Sequence, residues 1–293
     1  MSVQLHQLEY FVAVARQRHF TRAAVALHVA QPSVSKQIRK LETELGTPLF
    51  HRMKGNVVLT PAGEVLLPWA ERILGEVDGA RVAVGELGGL QRGRLAIGAT
   101  PSLCTIMLPP VLASFHATYP GIELALQQAG SRDLVRQVED GALDLALVIL
   151  PVEHPVIEAT PLLDEPLVLA TPPGHPLARK RSIAVGDLRD VPLVMFRDGY
   201  DLRSVTEAAC RQAGFEPTFA LEGGEMDSVL RLAAAGLGAA VVPAMVVSPG
   251  GPLRAVRFSL PGLSRTIGMA NRRDRPLSRA ARAFAAALSD AVA

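Results

Sequence analysis

The fold turns on TRAAVALHVAQPSVSKQIRKLETELG, residues 21–46. Thr21 is a good capping type for a short helix whose Ala23, Ala24 and Leu27 are small or apolar and allow close packing. Pro32 stands where a second helix takes its first position, because its missing N–H is no loss there. Gly46 supplies the positive φ that ends this second helix after Leu45. Val34, Ile38, Leu41 and Leu45 fall in one narrow arc at helical spacing and are expected to face the neighbouring helices. The opposite arc holds Pro32, Ser33, Lys36, Arg39, Lys40 and Thr43, with Gln31 and Ser35 at its leading end. A short helix, a tight turn and a second helix make a helix-turn-helix. Its outward residues are the types that read DNA: Gln, Ser and Lys for base edges, Arg, Lys and Ser for phosphates. The competing reading is an ordinary solvated basic face.

Working outward, Leu5, Leu8, Phe11, Val12 and Ala15 predict an amphipathic helix over residues 4–18. After the pair come two extended runs, Leu49–Arg52 and Asn56–Thr60, with Lys54-Gly55 at the bend, the signature of a hairpin. A basic hairpin beside a helix-turn-helix is a wing suited to the phosphate backbone. Thr60-Pro61 then opens a long helix over about 61–89, possessing a near-heptad seam of Leu66, Trp69, Ile73, Val77, Ala80, Val84 and Leu87. Such a seam suits pairing with a second chain, and Pro68 is positioned to kink it. Gly88-Gly89 and the following QRGR read as a hinge.

Charge supports a divided chain. Residues 1–60 carry 8 Lys and Arg against 3 acids, and the remainder carries 22 against 25. A basic front on a slightly acidic body points to a polyanion met by the front alone. At 293 residues the chain suits roughly two domains of ~100–200 residues each. Cys104 and Cys210 lie far apart, in no metal or CxxC spacing, which fits a reducing compartment. No signal peptide and no spanning helix is read, so the expected location is cytoplasmic, away from membranes.

From Arg94 onward strands alternate with helices, which predicts parallel sheets covered by helices. Strands are expected at 94–99, 122–127, 143–149, 167–170, 192–196, 218–221, 239–243 and 266–271. The segments YPGIELALQQAGSRDLVRQVEDGALDLALV and FEPTFALEGGEMDSVLRLAAAGLGAAVVP echo each other, implying two similar α/β lobes with a cleft between them.

TRAAVALHVAQPSVSKQIRKLETELGTPLFHR, LTPAGEVLL, LPPVLASFHATYPGIEL, DGALDLALV and AAGLGAAVVP together resemble the LysR-type transcriptional regulators over essentially the whole chain. The resemblance implies an α/β fold class: an N-terminal winged helix-turn-helix (1–60), a long linker and dimerisation helix with hinge (61–92), and a two-lobed, periplasmic-binding-protein-like effector domain (93–293). Lobe one would be 93–163 with 265–293, and lobe two 164–264. It implies double-stranded DNA with promoter inverted repeats, a small-molecule effector and self-association to a dimer or homotetramer as partners. No cofactor, metal or catalytic residue is implied. Carried over position by position, Gln31, Pro32, Ser35 and Lys36 become base-edge contacts. Thr21, Ser33, Arg39, Arg52 and Thr60 become phosphate contacts. Lys36 stands where many members have Arg, and lysine lacks the rigid fork that reads guanine.

Ligands of doubly wound sheets bind beyond strand carboxyl ends. Those places here are Thr100-Pro101-Ser102, Gln128 to Ser131, Ile149–Pro151, Phe196–Tyr200 with Arg197 in it, and Gly224-Glu225-Met226. Thr100 and Ser102 would suit a carboxylate paired with Arg197, whereas Glu225 would select an amine or a polar neutral ligand. Two rivals to a ligand-responsive regulator are a solute-binding protein and a redox-sensing regulator using Cys104 and Cys210. An enzyme is disfavoured, because the chain contains no HExxH, GxSxG, P-loop or GxGxxG unit. The acidic pairs Glu139-Asp140 and Asp164-Glu165 read as solvated.

Overall fold

The structure is a computed structural model and describes residues 3–53, 56–85 and 93–292. The bend at Lys54-Gly55, the seam position Leu87 and the proposed hinge lie outside the described residues, as do the side chains of Arg52 and Val84. The chain divides into two compact units, 1–89 with 139–142, and 90–138 with 143–293.

The first unit comprises α1 (Leu5–Gln17), α2 (Phe20–Ala26), α3 (Gln31–Leu45), the hairpin β1 (Phe50–Met53) and β2 (Asn56–Leu59), and α4 (Pro61–Gly85). Phe11, Val14, Val34, Ile38, Leu41 and Leu49 are buried together, with Phe11 tilted against Phe50 at 5.3 Å between ring centroids. Three local expectations change. α2 is capped by His19, whose Nδ1 accepts from the Thr21 N–H at 3.1 Å, so Thr21 lies inside the first turn. Pro32 is the second residue of α3, not the first. Leu45 is 41% exposed, because the packed arc of α3 ends at Leu41. Gly46 does end α3, at φ 72°. α4 keeps Pro68 within it and leaves Val65 and Trp69 exposed at 67% and 58%. A Cβ at Gly63 would lie 2.2 Å from the Leu49 carbonyl oxygen, so only glycine lets α4 start this close to the wing.

The second unit comprises β3 (Gly93–Ala99), α5 (Pro101–Thr105), α6 (Leu108–Thr118), β4 (Ile122–Gln128), α7 (Ser131–Glu139), β5 (Leu145–Ile149), β6 (Ile157–Thr171), β7 (Ser182–Ile183), β8 (Leu193–Phe196), α8 (Asp201–Gln212), β9 (Phe219–Gly224), α9 (Met226–Ala234), β10 (Ala240–Pro243), β11 (Arg254–Phe258), β12 (Ser264–Arg272) and α10 (Arg279–Val292). The main sheet runs β4-β3-β5-β12-β6-β11-β7, with β10 also on β6, and β8 pairs β9 separately. The expectation of purely parallel sheets is corrected. β3 is parallel to β4 and β5, but β12 is antiparallel to β5 and β6, and β10 and β11 are antiparallel to β6.

β6 explains the difference. It is one strand of 15 residues where only residues 167–170 were expected. Its first part, Ile157–Pro166, pairs with β12, and its last part, Leu167–Thr171, pairs with β10 and β11. Two apolar cores lie on either side of that change of partner. One holds Leu95, Ile97, Leu103, Phe115, Leu147, Ile267, Phe284 and Leu288. The other holds Leu169, Leu193, Phe196, Cys210, Met226, Val229, Val242 and Phe258. α10 thus closes the core begun by β3, and each core has its own parallel strands, β4, β3 and β5 in one and β8 and β9 in the other, with covering helices.

Candidate functional site

The first candidate surface is the outer face of α3. Burial of Val34, Ile38 and Leu41 turns Gln31, Pro32, Ser33, Lys36 and Arg39 outward, and all five are exposed. Ser35 is half-buried. Lys36 and Arg39 make no ion pair among the described residues, whereas Lys40 reaches Glu44 at 3.9 Å. The first turn of α3 has no acid and no side-chain cap, so its partial positive charge is uncompensated. Thr21 is exposed on α2. Thr60 differs from expectation. It is buried, its hydroxyl donates to the Pro48 carbonyl at 2.7 Å and accepts from the Gly63 N–H at 3.1 Å. It therefore caps α4 and presents no free hydroxyl.

The second candidate surface lies where the two cores of the second unit meet. Thr100 and Ser102 flank the start of α5, both buried. The Thr100 Oγ1 has no hydrogen-bond partner among the described residues. Ser102 does not cap α5. Its Oγ accepts from Arg265 Nη2 at 2.7 Å. The Arg265 Nε donates to Glu165 Oε2 at 2.6 Å, and both side chains are almost wholly buried. Glu165 and Arg265 are register partners on β6 and β12, immediately before β6 changes neighbours. The reading of Asp164-Glu165 as a solvated pair is thus corrected for Glu165. Burial pushes its carboxyl above the ordinary range, against the pull of Arg265. Its second oxygen, Oε1, is buried with no partner among the described residues.

Gln128 is exposed at the end of β4. Ile149 is buried, and its N–H donates to Ser131 Oγ at 3.0 Å. That hydroxyl in turn donates to Asp201 Oδ2 at 2.7 Å, joining the start of α7 to the start of α8. Phe196 is buried and stacked on Tyr200, 4.9 Å between centroids. Arg197 is exposed and paired. Its Nε donates to Glu225 Oε1 at 2.5 Å, and this hydrogen bond raises the guanidinium pKa further. Burial first, and Glu225 second, push the Tyr200 phenol up.

Arg265 and Asp201 were not singled out in the sequence, Ser131 was named only as the end of a nominated stretch, and Glu165 was read as solvated. Partners 100 and 70 residues apart leave no local pattern. Cys104 packs beside one core and Cys210 within the other, and burial pushes each thiol up to about 11. Among the described residues no cluster of side chains is suited to hold a metal ion, and no helix is long and apolar enough to cross a membrane.

Comparison with known proteins draws these surfaces together. The family profile described as "Bacterial regulatory helix-turn-helix protein, lysR family" matches residues 5–64, and that described as "LysR substrate binding domain" matches residues 88–293. The chain is 35% identical over 279 residues to the DNA-binding transcriptional dual regulator OxyR of Escherichia coli, covering 94% of this chain and 91% of that one. It is 36% identical over 245 residues to the hydrogen peroxide-inducible genes activator of Pectobacterium carotovorum, covering 84% and 81%. Its structure is similar to that of full-length CbnR complexed with its target DNA, with a TM-score of 0.72 and 26% identity, covering 99% of each chain. The exposed basic helix belongs to a helix-turn-helix of regulatory type and the two-cored unit to an effector-binding domain, and the chain is a member of the LysR family of DNA-binding transcriptional regulators.

Proposed function

We propose that α3 reads DNA through Gln31, Pro32, Ser35 and Lys36, with Thr21, Ser33, Arg39 and Arg52 on the phosphate backbone, and that a small effector between the two cores adjusts this binding. The observation that carries the first half is the exposed face of α3, where Lys36 and Arg39 make no ion pair among the described residues. Thr60 acts indirectly, by fixing α4 against the wing. Replacing Lys36 by alanine is expected to weaken specific binding by about 1–3 kcal/mol. Fluorescence anisotropy on promoter and random duplexes checks this. Equal loss on both duplexes would make Lys36 a phosphate contact.

The division follows the same logic: 1–60 binds DNA, 61–92 pairs chains through α4, and 93–293 binds effector as two lobes. Trp69 and Val65 on the exposed side of α4 suit an apolar seam between copies, in a dimer or a tetramer arranged on inverted repeats in the cytoplasm. Effector binding would shift the lobes by its differential affinity for two arrangements. The chain acts as a regulator and not as an enzyme.

The peroxide-linked name of the Pectobacterium relative raises thiol sensing as an alternative. Cys104 and Cys210 do not support it here. Each is pushed to about 11, so little thiolate exists at neutral pH, and each sits in a different core. A bound effector is the better-supported input.

A further inference from the structure

The chain passes between the two proposed lobes along β6 and again through the connection from β11 to β12. Strands that cross in this way form a hinge, and contacts elsewhere decide how the lobes stand. Two such contacts lie side by side. α7 belongs to the first lobe, where its Leu134 and Val138 are buried with Ala96 and Val148. α8 belongs to the second, where its Leu202 and Cys210 are buried with Leu193 and Phe196. Ser131 and Asp201 are the first residues of these two helices. The Ser131 Oγ accepts from the Ile149 N–H within its own lobe, so its one proton is given to Asp201 Oδ2 of the other, at 2.7 Å. Beside this bond, a Cβ on Gly130 would lie 3.1 Å from the Gly199 carbonyl oxygen, in a turn where Gly199 adopts φ 82°. The loops that enter α7 and α8 therefore meet backbone against backbone. Met245, in the turn Ala244–Val246 after β10, packs against the core of Leu95 and Ile97 and forms no part of the Ser131–Asp201 bond.

We propose that the Ser131–Asp201 hydrogen bond is a latch between the lobes. Made, it holds them in the arrangement described above. Broken, it lets them part and so alters DNA binding. This rests on the reading of the second unit as a sensor whose lobes move. The chemistry suits a bond that is made and broken. A hydrogen bond to a carboxylate biases an equilibrium by about 10-fold or more, enough to favour one arrangement without fixing it. Asp201 is only half-buried, so water solvates its carboxylate once the lobes part, and no charge is left stranded.

Hydrogen exchange of the full chain, followed by mass spectrometry, tests this together with DNase I footprinting on promoter DNA. Amides of residues 130–134 and 199–203 report on the latch itself. Those of residues 243–248 report on lobe separation, because Met245 leaves the first lobe's core only if the lobes part. Asp201→Ala is expected to speed exchange at 243–248 by about 10-fold or more, and to change promoter affinity by about 5-fold or more or to alter the footprint. Asp201→Asn keeps an oxygen that accepts the Ser131 proton, and is expected to stay near the unaltered chain. Gly130→Val drives a side chain against the Gly199 carbonyl and is expected to act as Asp201→Ala does; it carries the test if Asp201→Ala does not fold. Faster exchange confined to 130–134 and 199–203 makes the bond a local contact and overturns the latch, leaving the sensor reading intact. Asp201→Asn opening the lobes as far as Asp201→Ala overturns the hydrogen bond as the cause. Faster exchange at 243–248 with unaltered DNA binding overturns the coupling, and the reading of the second unit as the input to DNA binding falls with it.

Discussion

The outer face of α3 and the interlobe surface treat their cations in opposite ways. On α3, Lys36 and Arg39 stand exposed and make no ion pair among the described residues. Between the two cores, Arg265 is buried and held by Glu165. The difference follows from what each surface meets. A polyanion supplies the counter-charge for an exposed helix when it binds, and water solvates the cations until then. A guanidinium buried in apolar surroundings needs its counter-ion in the same chain at all times.

That contrast can be broken in several places. The largest effect is expected at Glu165. Replacement by alanine leaves Arg265 buried and uncompensated, and should reduce folding stability by about 3–5 kcal/mol in urea denaturation. A loss below about 1 kcal/mol would mean that water reaches the pair. Next come the thiols. Cys104 and Cys210 are each raised from 9.0 to about 11, so at neutral pH their thiolate fraction should be about 100-fold below that of the unfolded chain. Native and urea-unfolded alkylation rates with iodoacetamide read this directly, and native rates near the unfolded ones would reopen the redox alternative. The smallest effect is expected at Glu225, where the pair with Arg197 is largely exposed. Glu225→Ala should change stability by no more than about 1 kcal/mol, and less at high salt. A larger, salt-insensitive change would place that pair with the buried one.

The same contrast governs what could be read from the residues alone. α3 was legible because its signals are local: Val34, Ile38 and Leu41 repeat at helical spacing, and Gly46 marks the end. The error at Leu45 arose because spacing shows which side faces inward but not how far along the helix there is something to face. His19 was missed as a cap because the usual capping types exclude it. β6 was seen only at Leu167–Ala170, its continuous apolar part. The earlier residues carry Pro161, Asp164, Glu165 and Pro166, and the partner that makes them a strand, β12, lies about a hundred residues on. Glu165 was misread for the same reason. An acid beside another acid reads as solvated until Arg265 is folded against it. The strand ends nominated for effector binding include Thr100 and Ser102, which the fold buries beside the Arg265–Glu165 pair, and the acids around them came from elsewhere in the chain.

The position of β12 and α10 has a consequence for how the chain is made. Phe284 and Leu288 of α10 share a core with Leu95 and Ile97 of β3, and β12 is the neighbour that joins β5 to β6. On the ribosome, β3 emerges some 190 residues before α10. At about 5–20 residues per second, that core stands open for roughly 10–40 seconds of synthesis. Met1–Gly89 and the Leu169–Phe258 core need no residue beyond those already translated, so they are free to fold first. A nascent chain stalled before β12 would therefore display a competent DNA-reading unit attached to an unfinished sensor, and its exposed β5 edge would be the site where a holdase or a neighbouring nascent chain takes hold.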